Sequence, residues 1–198
     1  MKIFGLIGKN ISYSFSRKYF TDKFKNLGLQ DYQYVNFDIE VIDQFPTLIT
    51  NDVKGLNVTI PYKEQIFNYL DSIDDEAKKI GAVNTIKIKN RHLTGYNTDA
   101  YGFEESIKPL LKETHKKALV LGTGGASKAI LFVLEKLRID FLIVSRIPKE
   151  NQISYQDISK EIMQSHTVII NCTPVGTYPD INNFPKIPYQ YITDKHLL

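Results

Sequence analysis

The stretch Lys116 to Lys136, KKALVLGTGGASKAILFVLEK, constrains the fold of this chain more than any other. An apolar run, Ala118 to Leu121, has the length of a buried strand, and Ile130, Val133, Leu134 and Leu137 then recur at helical spacing. Between them Gly122, Thr123, Gly124 and Gly125 turn the backbone. Glycines without a Cβ allow a tight turn and the close approach of a pyrophosphate, and the amides and dipole of the following helix attract an anion. Ser127 stands where the third glycine of GxGxxG would be, and it is small enough for close helix packing. The loop is therefore a candidate seat for nucleotide phosphates, although a plain strand-to-helix connection has the same local pattern.

The next strand separates two dinucleotides. An NAD site places Asp or Glu about 20 residues after the loop, at the tip of the second strand, to hold the ribose 2′-hydroxyl. Here that strand is Phe141 to Val144, and its tip carries Ser145 and Arg146, with Lys149 beyond. Asp140 precedes the strand and is badly placed for the ribose. A guanidinium at the tip suits a 2′-phosphate, which it binds in a forked geometry, so the expected cofactor is NADP.

Length and charge exclude several alternatives. The 198 residues suit one large domain or two small ones, and 42% hydrophobic content is enough to build cores. A net charge of +3 is too small and dispersed to indicate nucleic acid or an anionic membrane. Neither a signal peptide nor a membrane span is expected, because the apolar stretch around Ala118 to Leu134 is interrupted by glycines and Lys128. Cys172, the single cysteine, fits a reducing compartment, with cytoplasm as the default. His92, His115, His166 and His196 lack zinc-site spacing, and no metal is expected. There is no GxSxG elbow, Walker A loop or internal repeat.

Upstream, strand and helix patterns alternate. Strands are expected at Lys2 to Ile7, Tyr32 to Phe37 and Gly55 to Ile60, with helices at Ser16 to Leu27 and near Ile42 to Ile49. Pro61 marks a first helical turn, with Phe67 and Leu70 on its buried face, and further helix reaches about Ile80. Thr85 to Lys89 and Leu93 to Tyr96 flank Asn90 and Arg91 like a hairpin, and Tyr101 to Lys112 reads as a connecting helix. Thr167 to Ile170 is a further strand, and Leu197 and Leu198 look like the start of another. The expected class is α/β: an N-terminal α/β substrate domain over residues 1–100, then a doubly wound, Rossmann-like nucleotide domain over 101–198 that is incomplete at its C-terminus.

Polar residues collect at strand ends in the first half, where a mostly parallel sheet gathers its ligand. Ser14 and Ser16 follow the first strand, and two hydroxyls there can hold a carboxylate; the alternative is that Ser16 caps the helix. Asn57 and Thr59 share one strand face, and Lys63 follows across the proline. Asn84 opens the hairpin and Asp99 follows it, where the aspartate can also cap the connecting helix. Lys63 alone reads as a solvated surface lysine. Beside Asp99 it becomes a proton donor and acceptor, because a carboxylate holds the ammonium and tunes it against desolvation.

GLNVTIPYKE, IGAVNTI, GYNTDAYGF, LGTGGASKA and NCTPVG, in that order over nearly the whole chain, resemble the shikimate dehydrogenase family. The resemblance implies a two-domain enzyme that reduces 3-dehydroshikimate to shikimate with NADPH, on the way to chorismate and aromatic amino acids. It assigns Ser14 and Ser16 to the substrate carboxylate, and Asn57, Thr59, Asn84 and Asp99 to ring hydroxyls. Lys63 and Asp99 resemble the catalytic pair. Gly122 to Ala126 resemble the pyrophosphate loop, Ser145 and Arg146 the 2′-phosphate clamp, and Thr173 part of the nicotinamide side; Asp75 falls where the family often has an acid near the cofactor.

Against the family pattern, Tyr13 and Arg17 replace the usual histidine and proline beside the serines, and Thr177 replaces a methionine. The family's further strands, a glycine near the nicotinamide and a C-terminal helix carrying a substrate-binding glutamine have no counterpart here, so the resemblance implies a C-terminally truncated chain. Two readings stay beside the main one: a non-catalytic fragment that binds shikimate or nucleotide, and a quinate/shikimate dehydrogenase of relaxed specificity. A monomer or homodimer acting on a small molecule is expected, with exposed sheet edges favouring self-association.

Overall fold

Buried strand runs joined by helical connections build both halves of the chain. The computed structural model describes residues 1–178 and 180–198. Contacts group them into two units, Met1–Thr98 and Asp99–Leu198.

The first unit contains, in chain order, β1 (Lys2–Gly8), α1 (Phe15–Asn26), β2 (Tyr32–Asp38), α2 (Phe45–Leu48), β3 (Val53–Val58), β4 (Ser72–Ile73), α3 (Asp75–Ile80), β5 (Thr85–Lys89) and β6 (His92–Tyr96). The sheet order is β2-β1-β3-β5-β6-β4. β1 is parallel to β2 and β3, β5 is antiparallel to β3 and β6, and β4 is parallel to β6. The C-terminal ends of β1, β3 and β6 and the start of β5 therefore share one end of the sheet. One sheet face buries Ile7, Leu56, Val58, Ile66, Val83 and Ile86. The other packs Leu6, Ile11 and Tyr34 with Phe4, Phe20 and Phe24. At the hairpin tip Asn90 and Arg91 both have positive φ, 52° and 63°, as a two-residue turn matching the strand twist requires.

The helix expected from Pro61 does not form. The Ile60–Pro61 peptide is cis, and the chain turns before a short 3₁₀ segment, Gln65–Tyr69. Tyr62 and Ile66 carry the burial instead, with Phe67 and Leu70 packed at its margin. The Lys63 carbonyl accepts the Val83 N–H at 2.8 Å, which occupies it with a distant segment in place of a helical turn. Helix towards Ile80 is confined to α3, after the unanticipated β4.

The second unit comprises α4 (Asp99–Ile107), β7 (Lys117–Leu121), α5 (Gly125–Lys136), β8 (Asp140–Val144), β9 (Gln152–Ile153), α6 (Lys160–Ser165) and β10 (Val168–Asn171). All four strands are parallel, in the order β10-β7-β8-β9. Beyond β10, Leu197 forms a parallel bridge with Val168. Leu119, Leu121, Val144 and Met163 fill one side of this sheet, and Ala118, Val120, Leu134 and Val168 the other. Strand order reverses between β7 and β10, the switch point at which open α/β sheets collect ligands. The buried Glu104 on α4 accepts from Lys108, four residues on, at 2.6 Å and, across the α4–α5 contact, from Lys136 at 2.7 Å. Among the described residues, no helix is long and apolar enough to cross a membrane.

Candidate functional site

The ligand end of the first sheet carries a continuous row of polar side chains. Asn57, near the end of β3, is the register partner of Thr85 at the start of β5. Their alternation out of the apolar core faces leaves both side chains half-buried. Tyr34 on β2 donates its O–H to Asn57 Oδ1 at 2.8 Å, and Asn57 Nδ2 lies 3.4 Å from Thr85 Oγ1. Thr85 Oγ1 donates to Asn84 Oδ1 at 3.0 Å. Asn84 in turn accepts the Thr98 N–H at 2.9 Å and donates Nδ2 to Thr98 Oγ1 at 3.0 Å. Asn84 is buried, so these partners satisfy an amide that would otherwise be costly to remove from water.

Ser14 and Ser16 join this end through α1. Ser14, not Ser16, caps the helix: its Oγ accepts the Ser16 N–H at 3.2 Å. Burial pushes the Tyr34 phenol up to about 12, and the Ser16 hydroxyl works against that rise. The phenol thus remains protonated and donates to Asn57. The loop leading to the serines is fixed from β2. The Asp38 carboxylate accepts the Asn10 and Ile11 N–H groups at 2.8 and 3.1 Å, and Asn36 Nδ2 donates to the Ile11 carbonyl at 3.1 Å.

Thr59 is half-buried and donates its N–H to the Ile7 carbonyl at 2.9 Å, which anchors it beside the end of β1. Lys63 is half-buried, and its carbonyl bond to Val83 ties its backbone next to Asn84. Asp99 is half-buried, directly follows the anchored Thr98 and opens α4. Asp75 stands apart from the row, exposed in the first turn of α3 and 3.3 Å from Lys78. A cavity lined by Ile49, Asn51, Lys54 and Arg91 lies at the opposite end of the sheet, away from these groups.

In the second unit the loop after β7 has the geometry of an anion cradle. Gly122 has φ +107°, and a Cβ there would lie 2.9 Å from Thr173 Cγ2 and 3.2 Å from the Cys172 carbonyl oxygen. Only glycine fits where the loops after β7 and β10 meet. Gly124 is the N-cap of α5 without a side-chain cap, and a Cβ on it would meet nothing within 4 Å. Thr123, Gly124 and Ala126 are exposed, Gly125 is half-buried, and the first turn of α5 contains no acid. Ser127, buried, donates to the Gly124 carbonyl at 2.7 Å, within the helix start and not across the loop.

Ser145 Oγ donates to the Ile147 carbonyl at 3.0 Å and accepts its N–H at 3.2 Å, forming the turn from which Arg146 projects exposed. Burial raises the Tyr155 phenol, and the nearby Arg146 guanidinium partly offsets that rise. Thr173 donates its N–H and Oγ1 to Asn171 Oδ1 at 3.0 and 2.6 Å. The Cys172 thiol beside it is pushed up to about 11 by burial and stays protonated at neutral pH. No group of three or more His, Cys, Asp or Glu side chains among the described residues is arranged to hold a metal ion.

Sequence reading overlooked Tyr34 and the loop anchors Asn36 and Asp38. Their signal was the alternation Tyr32, Tyr34, Asn36, Asp38 along β2, which places all four on one strand face.

Residues 6–86 match the family model described as the shikimate dehydrogenase substrate binding domain. The shikimate dehydrogenase (NADP(+)) of Methanosphaera stadtmanae is 39% identical, over 98% of this chain and 75% of that protein. A crystal structure of shikimate dehydrogenase from Aquifex aeolicus is similar with a TM-score of 0.85 and 34% identity, covering 100% of this chain and 77% of that one. The shikimate 5-dehydrogenase of Thermus thermophilus, solved with NADP(H) and shikimate, has a TM-score of 0.82 at 28% identity, over 99% and 77% of the two chains.

Proposed function

The chain belongs to the shikimate dehydrogenase family, and we propose that it catalyses the NADPH-dependent reduction of 3-dehydroshikimate to shikimate in aromatic amino acid biosynthesis. The observation that carries this reading is the polar row from Tyr34 to Thr98 at the ligand end of the first sheet. Its members orient one another before any ligand arrives, so their remaining donors and acceptors face a polyhydroxylated ring without reorganisation. Such a site rejects analogues lacking a hydroxyl, because its own polar groups would be left unpaired.

In this reading Met1–Thr98 is the substrate unit. Ser14 and Ser16 hold the carboxylate, and Asn57, Thr59, Asn84 and Asp99 hold ring hydroxyls. Lys63 gives the proton that the substrate oxygen requires as the carbonyl is reduced, and its positive charge offsets the developing negative charge. Asp99 is the second member of the catalytic pair that the family resemblance implies.

Asp99–Leu198 is the nucleotide unit. The residues present fit NADP: a close approach at Gly122, open space at Gly124 and an uncapped helix start without acids. When bound, the cofactor supplies the hydride from nicotinamide C4. Gly122, Thr123, Gly124, Gly125 and Ala126 would hold its pyrophosphate. Arg146 would grip the 2′-phosphate on the turn made by Ser145, with Thr173 on the nicotinamide side and Asp75 as a more remote acid. The reading extends to a cytoplasmic monomer or homodimer, the compartment supported by the small-metabolite chemistry and the single cysteine, Cys172.

The test is oxidation of shikimate by the purified chain with NADP and with NAD, repeated for Arg146→Ala. The expected result is turnover preferring NADP, with a preference that collapses in the variant. Absence of turnover and of binding contradicts the reading, and equal losses with both cofactors remove Arg146 from it.

A further inference from the structure

The cavity at the opposite end of the first sheet holds about 540 Å³, the size of a small-ligand pocket. Its apolar side is the buried Val53 and Ile88 with the half-buried Ile49, and its polar side is Asn51, Lys54 and Arg91. Asn51 organises both cations. Its Oδ1 accepts from Arg91 Nε and Nη2 at 3.2 and 3.0 Å, and its backbone carbonyl accepts from Lys54 Nζ at 2.7 Å. Both acceptors are neutral, so neither charge is cancelled, and each cation keeps further N–H groups. Among the described residues no carboxylate lies within ion-pair distance of Lys54 or Arg91. Asp52, next to Asn51 in sequence, lies 3.7 Å from the Met1 ammonium instead.

We propose that this cavity is a second small-molecule site, which takes a carboxylate or phosphate carried on a small apolar body. The anionic oxygens bind Arg91 and Lys54, and the apolar part lies against Val53 and Ile88. Two cations gathered on one asparagine repel each other, and an anion between them removes that repulsion. The guanidinium fork matches paired oxygens, and its bonds to Asn51 hold it ordered before the ligand arrives. Lys54 stands near the start of β3 and Asn57 near its end, so the cavity and the polar row are roughly 10 Å apart along the strand. Neither cation belongs to that row, so occupancy of the cavity and turnover of shikimate can fail separately.

Amide NMR of the ¹⁵N-labelled full chain tests this, with phenyl phosphate, benzoate, inorganic phosphate and phenol as separate probes. Phenyl phosphate or benzoate should shift the Thr50 to Lys54, Asn90 and Arg91 amides saturably, and the tighter of the two identifies the anion as phosphate or carboxylate. Inorganic phosphate, lacking the apolar body, and phenol, lacking the charge, should both bind more weakly. Lys54→Gln and Arg91→Asn should each weaken the better probe by roughly ten-fold, with shikimate affinity unchanged. Asparagine suits the positive φ of 63° at position 91, and the exposed Lys54 gives an independent variant outside that turn. Phenol binding as tightly as the anions reduces the cavity to an apolar groove and overturns the proposal. So do inorganic phosphate binding as tightly as phenyl phosphate, equal affinity in wild type and both variants, or no saturable shift at these amides.

Discussion

Asn84 holds Thr98 from two sides: Asn84 Oδ1 accepts the Thr98 amide at 2.9 Å, and Asn84 Nδ2 donates to the Thr98 hydroxyl at 3.0 Å. The pair closes the gap between the start of β5 and the exit from β6. It also fixes Thr98, the last residue of the first unit, through a buried amide.

Asn84→Ala should therefore damage both packing and ligand grip. The Thr98 amide loses its acceptor and Thr85 Oγ1 loses its own, at a cost of about 1–3 kcal/mol for a group left unsatisfied. Urea unfolding should register that loss, and KM for shikimate should rise while NADP affinity holds. An unfolding free energy equal to wild type contradicts the importance of the pair.

Two glycines of the nucleotide loop should separate stability from binding. Gly122→Ala forces an L side chain into a φ of +107° and against Thr173 and the Cys172 carbonyl, which should lower stability by about 1–3 kcal/mol. Gly124 has φ −82° and open space for a Cβ, so Gly124→Ala should melt like wild type yet bind NADP more weakly. If Gly124→Ala keeps full NADP affinity, the pyrophosphate does not approach at that point.

Acid should weaken the second unit through Glu104. Lys108 and then Lys136 hold its carboxyl below the ordinary 4.5. The folded state is therefore deprotonated where the unfolded chain already takes up a proton. The stabilisation is complete above the unfolded value and is lost as pH falls through the folded one. The melting midpoint should drop over that acid range. In Glu104→Gln the midpoint should be lower at neutral pH and that part of the acid slope missing; an unchanged slope contradicts the ion-pair assignment.

What could be read in the sequence was local. The βα loop at Gly122, the hairpin at Asn90 and Arg91, and the basic strand tip at Arg146 each depend on a few adjacent residues. Pro61 misled because the carbonyl that a helix would have used at Lys63 is bound by Val83, a partner supplied only by the folded sheet. Tyr34 and Asn57 are 23 positions apart and meet through strand order, which no local pattern encodes. The cap lay at Ser14 and not Ser16, a shift of two residues that the sequence pattern alone did not resolve. β9, with two residues, is too short to show a period.

The most direct test of the proposed chemistry is kcat of Lys63→Ala at saturating shikimate and NADP, with shikimate affinity measured alongside by calorimetry. If Lys63 transfers the proton, kcat should fall by roughly 10²–10⁴-fold while shikimate affinity changes only modestly. A variant that keeps wild-type kcat would contradict the assignment of Lys63 and move the proton transfer elsewhere in the site.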